Sequence, residues 1–127
     1  MKDLKIIIAD DNKGISEQYK NYIEKNSNFK ITDIAVSSKQ EMEMIEKYSP
    51  DVIITDYIRN NEDISGIDII LDCEKNNINT KFIIITGYGY SDIFLKCNRR
   101  MPSNVAGFIS KPLANWDSLI KALENAS

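Results

Sequence analysis

Five side chains in this sequence have types and positions that could act together: the acidic pair Asp10-Asp11, then Asp56, Thr86 and Lys111. Each lies at the end of a short apolar run, so a fold that gathers those ends gathers three carboxylates, a hydroxyl and an ammonium. Crowded carboxylates repel, since two unit charges ~4 Å apart interact by about 4 kcal/mol at an effective dielectric of 20. Without a cation, at least one of them tends to keep its proton. A hard divalent ion relieves the repulsion, and Mg²⁺ suits oxygen ligands, an octahedral shell and phosphate oxygens. Lys111 would add a point positive charge and Thr86 a hydrogen-bond donor, while backbone N–H groups at strand-to-helix turns complete an anion cradle. That is the chemistry of a phosphoryl site. Taken singly, each residue has a plainer explanation: helix caps for Asp10-Asp11, a turn for Asp56, a strand end for Thr86, surface charge for Lys111. Their joint placement argues for chemistry.

The elements that must position them follow from apolar spacing. Short runs recur at LKIIIA (4–9), FKITDIAV (29–36), DVIIT (51–55), KFIIIT (81–86) and NVAGFI (104–109). Between them, Ile15, Tyr19, Tyr22 and Ile23 form the stripe of an amphipathic helix, as do Trp116, Leu119, Ile120 and Leu123 near the end. Segments 38–48 (Met42, Ile45) and 66–76 (Ile67, Ile70, Leu71) fit helices less strongly, and 88–100 least clearly. Strand and helix in alternation predict an α/β fold: a doubly wound, five-stranded parallel sheet with five helices in three layers. The first, third and fourth runs are continuously apolar, as central strands covered on both faces require. In such sheets ligands bind at the carboxyl ends of the strands, near a topological switch point.

Composition bounds the rest. The chain has 127 residues, 43% hydrophobic and 28% charged, which predicts one soluble domain spanning 1–127. Its net charge of −3 gives no electrostatic case for nucleic-acid binding; the basic cluster Lys96, Arg99 and Arg100 reads as a solvated helix end. No apolar run approaches a membrane span, and MKDLKIIIADD turns acidic too soon for a signal peptide, so a cytoplasmic location is expected. Cys73 and Cys97 lack metal-ligand spacing and read as two reduced thiols. The chain has no histidine, which excludes histidine acid–base catalysis, histidine-dependent triads and histidine metal ligands. It also lacks a glycine-rich Walker loop.

These residues resemble the receiver domain of bacterial two-component response regulators, and the resemblance covers essentially the whole chain. Asp10-Asp11 matches the family's acidic pair, Asp56 its phosphoacceptor, and Thr86 with small Gly87 its switch position. Lys111-Pro112 matches its Lys-Pro pair and Phe108 its aromatic switch position. The resemblance implies a flavodoxin-like fold and a phosphorylation switch that is not an enzyme beyond its own phosphotransfer and dephosphorylation. Asp56 would accept a phosphoryl group from a phosphohistidine. Asp11, Asp56 and the carbonyl of Ile58 would bind Mg²⁺, with Asp10 acting through water, and Thr86, Gly87 and Lys111 would hold the phosphate. The implied partners are a sensor histidine kinase or histidine phosphotransfer protein, then a downstream target or a fused, DNA-binding or enzymatic, output domain. Homodimer formation on phosphorylation is also implied; membrane or direct nucleic-acid contact by this domain is not. The Lys111–Pro112 bond is expected to be cis, as in the family.

The sequence also departs from the pattern. Asn60 stands where the family has proline, Gly66 comes two residues late, and the stretch between Thr86 and Lys111 is longer than usual. Apolar Ile58 and bulky Tyr88 stand at the two positions that in the family flank the phosphoryl group, and are expected to slow its hydrolysis. One alternative is an unphosphorylated pseudo-receiver acting as a protein-binding module. Another, a haloacid-dehalogenase-like phosphatase, would want Asp-x-Asp after the first strand, where this chain reads Asp10-Asp11-Asn12.

Overall fold

The structure, a computed structural model, describes residues 4–56, 66–87, 100–111 and 113–127. Five parallel strands form one sheet in the order β2-β1-β3-β4-β5. They are β1 (Ile6–Ala9), β2 (Ile31–Ala35), β3 (Val52–Asp56), β4 (Lys81–Thr86) and β5 (Val105–Ser110). Four helices lie among the described residues: α1 (Lys13–Asn26), α2 (Ser38–Tyr48), α3 (Gly66–Lys75) and α4 (Asp117–Ala126). The helix expected over 88–100 falls almost wholly outside them, as do the loop after Asp56 with Ile58 and Asn60, Tyr88, Lys96, Cys97, Arg99 and Pro112 with its expected cis bond.

The three runs of unbroken isoleucine, valine and phenylalanine became the three central strands, buried along almost their whole length. The edge strands β2 and β5 are only partly covered. Because side chains alternate across a strand, the sheet feeds two core layers. Ile6, Ile8, Val52, Ile54, Ile83 and Ile85 meet Tyr19 and Ile23 of α1 and Leu119 and Leu123 of α4. On the other face Ile7, Ile53, Phe82 and Ile84 meet Ile67, Ile70 and Cys73 of α3, with Met44, Ile45 and Tyr48 of α2 alongside. Each fully buried isoleucine contributes roughly 1.5–3 kcal/mol of transfer free energy, so these layers hold the strand ends rigidly.

Two helical expectations are corrected. In α2 the inward stripe is Ser38, Glu41, Ile45 and Tyr48, and Met42 is turned outward at 38% exposure. Met42 lies one residue, about 100° of helix, past buried Glu41. Trp116 does not lie within the last helix but occupies its N-cap, where the Asn115 side chain, not Trp116, accepts from the Asp117 N–H at 2.9 Å. The Trp116 indole packs instead on α1, 5.4 Å from the Tyr19 ring and 5.6 Å from that of Tyr22.

Along and just past edge strand β2, side chains take up several main-chain N–H groups. The Ile31 N–H donates to Glu24, that of Ile34 to the Asp33 carboxylate and that of Val36 to Gln40. N–H groups engaged by side chains are less available for pairing with another strand.

Candidate functional site

The sheet order reverses between β1 and β3, since β2 lies to one side of β1 while β3, β4 and β5 follow on the other. Asp10 and Asp56 end the two strands that flank this switch point. By the two-residue alternation, Asp10 continues the side of Ile6 and Ile8, Asp56 that of Val52 and Ile54, and Lys111 that of Ile109. All three therefore project from the face covered by α1 and α4. They meet there: the Lys111 ammonium donates to Asp10 Oδ2 at 3.1 Å and to Asp56 Oδ2 at 2.9 Å. One carboxylate oxygen each from Asp10, Asp11 and Asp56 lies within 4.8 Å of the others.

Local structure explains the precision. Asn12, not either aspartate, caps α1, its Oδ1 accepting from the Ile15 N–H at 3.1 Å. The Asn12 N–H in turn donates to Asp10 Oδ1 at 2.9 Å, so one Asp10 oxygen is committed to the turn and the other faces Lys111. The plainer explanation of the acidic pair as caps thus fails. Lys111 is fixed through its main chain as well, its N–H donating to the Thr86 carbonyl at 2.8 Å.

The electrostatics keep the lysine of the cluster charged. Burial works against the Lys111 ammonium, but hydrogen bonds to Asp56 and Asp10 and their negative charge outweigh it and hold its pKa up at about 12. Lys111 thus stands as a charged group between two carboxylates, with a third, that of Asp11, in the same cluster. The three carboxylate oxygens lie within 4.8 Å of one another, close enough for one divalent cation to draw on all of them. The all-oxygen donor set fits a hard ion such as Mg²⁺ and does not suit a soft one.

Thr86 lies on the other side of the sheet. It is 1% exposed at the end of β4 and continues the side of Ile84, the layer against which Phe108 packs. Ile84 pairs with Phe108 and Thr86 with Ser110, so Phe108 is the diagonal neighbour of Thr86, within reach of an aromatic ring. Gly87 is exposed, and among the described residues no atom lies within 4 Å of where a Cβ would stand. The structure thus brings Asp10, Asp11, Asp56 and Lys111 together, places the Thr86 side chain with Phe108 on the opposite face of the sheet, linked to Lys111 through the main chain, and describes neither Ile58 nor Pro112.

Tyr19 belongs to this neighbourhood too, although its spacing marks it only as a core position of α1. Burial pushes its phenol above the ordinary tyrosine value; Lys111 pulls it down, and Asp10 and Asp56 push it further up. The ring is thus within electrostatic range of the site. Helical periodicity contains no such information.

The sequence profile of the response regulator receiver domain matches residues 6–124, and the chain belongs to that family. Its fold is shared by the DNA-binding response regulator of the LuxR family from Staphylococcus aureus (TM-score 0.82, 22% identity, 97% of this chain and 98% of that one). A receiver domain protein from Clostridium thermocellum superposes with a TM-score of 0.78 at 26% identity, covering 97% of this chain and 93% of that one. In sequence, the chain is 23% identical over 114 residues to a protein-glutamate methylesterase/protein-glutamine glutaminase of Treponema denticola. That match takes in 88% of this chain but only 29% of the relative's length. No helix among the described residues is long and apolar enough to cross a membrane.

Proposed function

We propose that this receiver domain is a phosphorylation switch whose phosphoacceptor is Asp56. The observation that carries it is the Lys111 ammonium set between Asp10 and Asp56 at a strand-order switch point, with Asp11 completing the cluster of three carboxylates. A carboxylate oxygen of Asp56 attacks the phosphorus of a partner's phosphohistidine. The P–N bond breaks, its electron pair returns to the partner's imidazole, and an acyl phosphate forms on Asp56. The chain has no histidine, so the donor is another protein, a sensor histidine kinase or histidine phosphotransfer protein.

Asp11, Asp56 and the Ile58 carbonyl would hold Mg²⁺ directly and Asp10 through water; when bound, the ion supplies neutralisation of the charge on the transferring group. Lys111 exchanges its carboxylate partners for the new phosphate oxygens, to which Thr86 donates its hydroxyl. The inward shift of Thr86 opens space for Phe108, its diagonal neighbour, and biases a two-state equilibrium. Ile58 and Tyr88 screen the phosphoryl group from water and lengthen its life. The domain works in the cytoplasm and passes its state to a downstream protein or a fused output domain, and phosphorylation promotes homodimer formation.

Incubation with Mg²⁺ and acetyl phosphate tests the switch. The intact mass is expected to rise by one phosphoryl group, and Asp56→Asn to abolish the gain. Unchanged mass in the parent protein would point instead to a pseudo-receiver that binds partners without phosphorylation.

A further inference from the structure

Among the described residues two large hydrophobic side chains are exposed, Met42 at 38% and Ile78 at 37%. Scattered singly they would need no explanation. They line the same groove instead, a cleft of about 720 Å³ between α2 and α3, with Ile45, Ile69 and Cys73 also in its wall. Burial, then the charges of Asp72 and Glu41, push the Cys73 thiol up to about 11, so it stays neutral and adds to the apolar lining.

The charged groups of this groove are all of one sign: Glu46, Asp51 and Asp72, with no lysine or arginine among its lining residues. The helices that form it share the bias. In α2 three glutamates stand against two lysines, and in α3 two aspartates and a glutamate against one lysine. Asp51 and Thr80 immediately precede β3 and β4, so the groove opens at the end of the sheet opposite the carboxylate cluster. A partner seated there leaves the phosphoacceptor accessible.

We propose that the groove between α2 and α3 is a docking surface for a basic, apolar-anchored segment of a partner protein. Its apolar side chains seat against Met42, Ile45, Ile69 and Ile78, and its lysines or arginines face Glu46, Asp51 and Asp72. Apolar anchors in a groove supply affinity, while the like-signed rim selects the partner's charge.

The probe is a short synthetic peptide with leucines at helical spacing and lysines elsewhere, titrated into ¹⁵N-labelled protein with Mg²⁺ present to occupy the separate Asp10, Asp11 and Asp56 cluster. Amide shifts are expected at Met42, Ile45, Ile69 and Ile78, weakening with added salt. Ile78→Asp is expected to lower affinity roughly tenfold or more, and Asp72→Lys, an exposed change outside the apolar floor, also to weaken binding. A glutamate-for-lysine version of the peptide is expected not to bind. The proposal is overturned by shifts centred elsewhere, by binding indifferent to both substitutions in variants with parental circular dichroism, or by equal binding of the glutamate peptide. Concentration-dependent shifts of the same amides without peptide would also overturn it, by assigning the groove to a second copy. Every readout is independent of Asp56 phosphorylation, so the two proposals fail separately.

Discussion

Asp11→Asn should stabilise the metal-free protein. One Asp11 oxygen lies within 4.8 Å of oxygens of both Asp10 and Asp56. At that outer limit each like-charged pair repels by about 3.5 kcal/mol at an effective dielectric of 20 and about 0.9 kcal/mol at that of water. Asp11 is exposed, so the value nearer water applies, and two such pairs give roughly 2 kcal/mol. For a chain of 127 residues that corresponds to a rise in melting temperature of about 7 °C. Urea denaturation with and without Mg²⁺ separates this effect from others. The parent should gain stability with Mg²⁺, because an ion that binds only the folded state stabilises it by mass action. Asp11→Asn should start higher and gain little. A variant less stable than the parent without metal, or one that gains as much from Mg²⁺, would refute the argument that repulsion among these carboxylates is what Mg²⁺ relieves.

Further outcomes follow from single contacts. The Arg100 guanidinium, with help from the Ser103 N–H and hydroxyl, holds the Glu74 carboxyl down at about 2. A depressed carboxyl contributes stability above its unfolded value and loses it as pH falls from about 4.5 toward 2. The parent's urea midpoint should therefore exceed that of Glu74→Gln at pH 6, with the gap closing across that window. For Lys111, raised to about 12, the sign reverses. Its contribution is complete below pH 10.5 and lost as pH rises to 12, so Lys111→Met should flatten the alkaline limb of stability. Asn12→Ala removes the α1 cap and should cost about 1 kcal/mol by denaturation. Thr86→Ala should still take up phosphate from acetyl phosphate, yet leave the ring resonances of Phe108 unmoved between the two states.

The parts of the fold that read well from sequence are those governed by short-range pattern. Unbroken runs such as Ile6–Ala9 and Phe82–Ile85 have few ways to be buried except as central strands, and the strand ends then fix where Asp10, Asp56, Thr86 and Lys111 must lie. What escaped depends on three-dimensional neighbours. Met42 and Glu41 differ by one position on a helix whose apolar residues are sparse, and only packing against α3 and the sheet decides which turns inward. Asn12 is a good capping residue in any sequence, but its grip on Asp10 through the backbone needs the turn geometry. Arg100, read as part of a solvated basic cluster, is bound to Glu74, 26 residues earlier in the chain, and no local pattern links the two. The nearness of Tyr19 to the site likewise arises from how α1 crosses the sheet.

Borohydride trapping of the acyl phosphate addresses the central claim most directly. Reduction converts a phosphorylated aspartate to homoserine, which peptide mass mapping locates in the chain. After treatment with Mg²⁺ and acetyl phosphate, homoserine is predicted at position 56 alone. Homoserine at position 10 or 11, or at no carboxylate, would contradict the account.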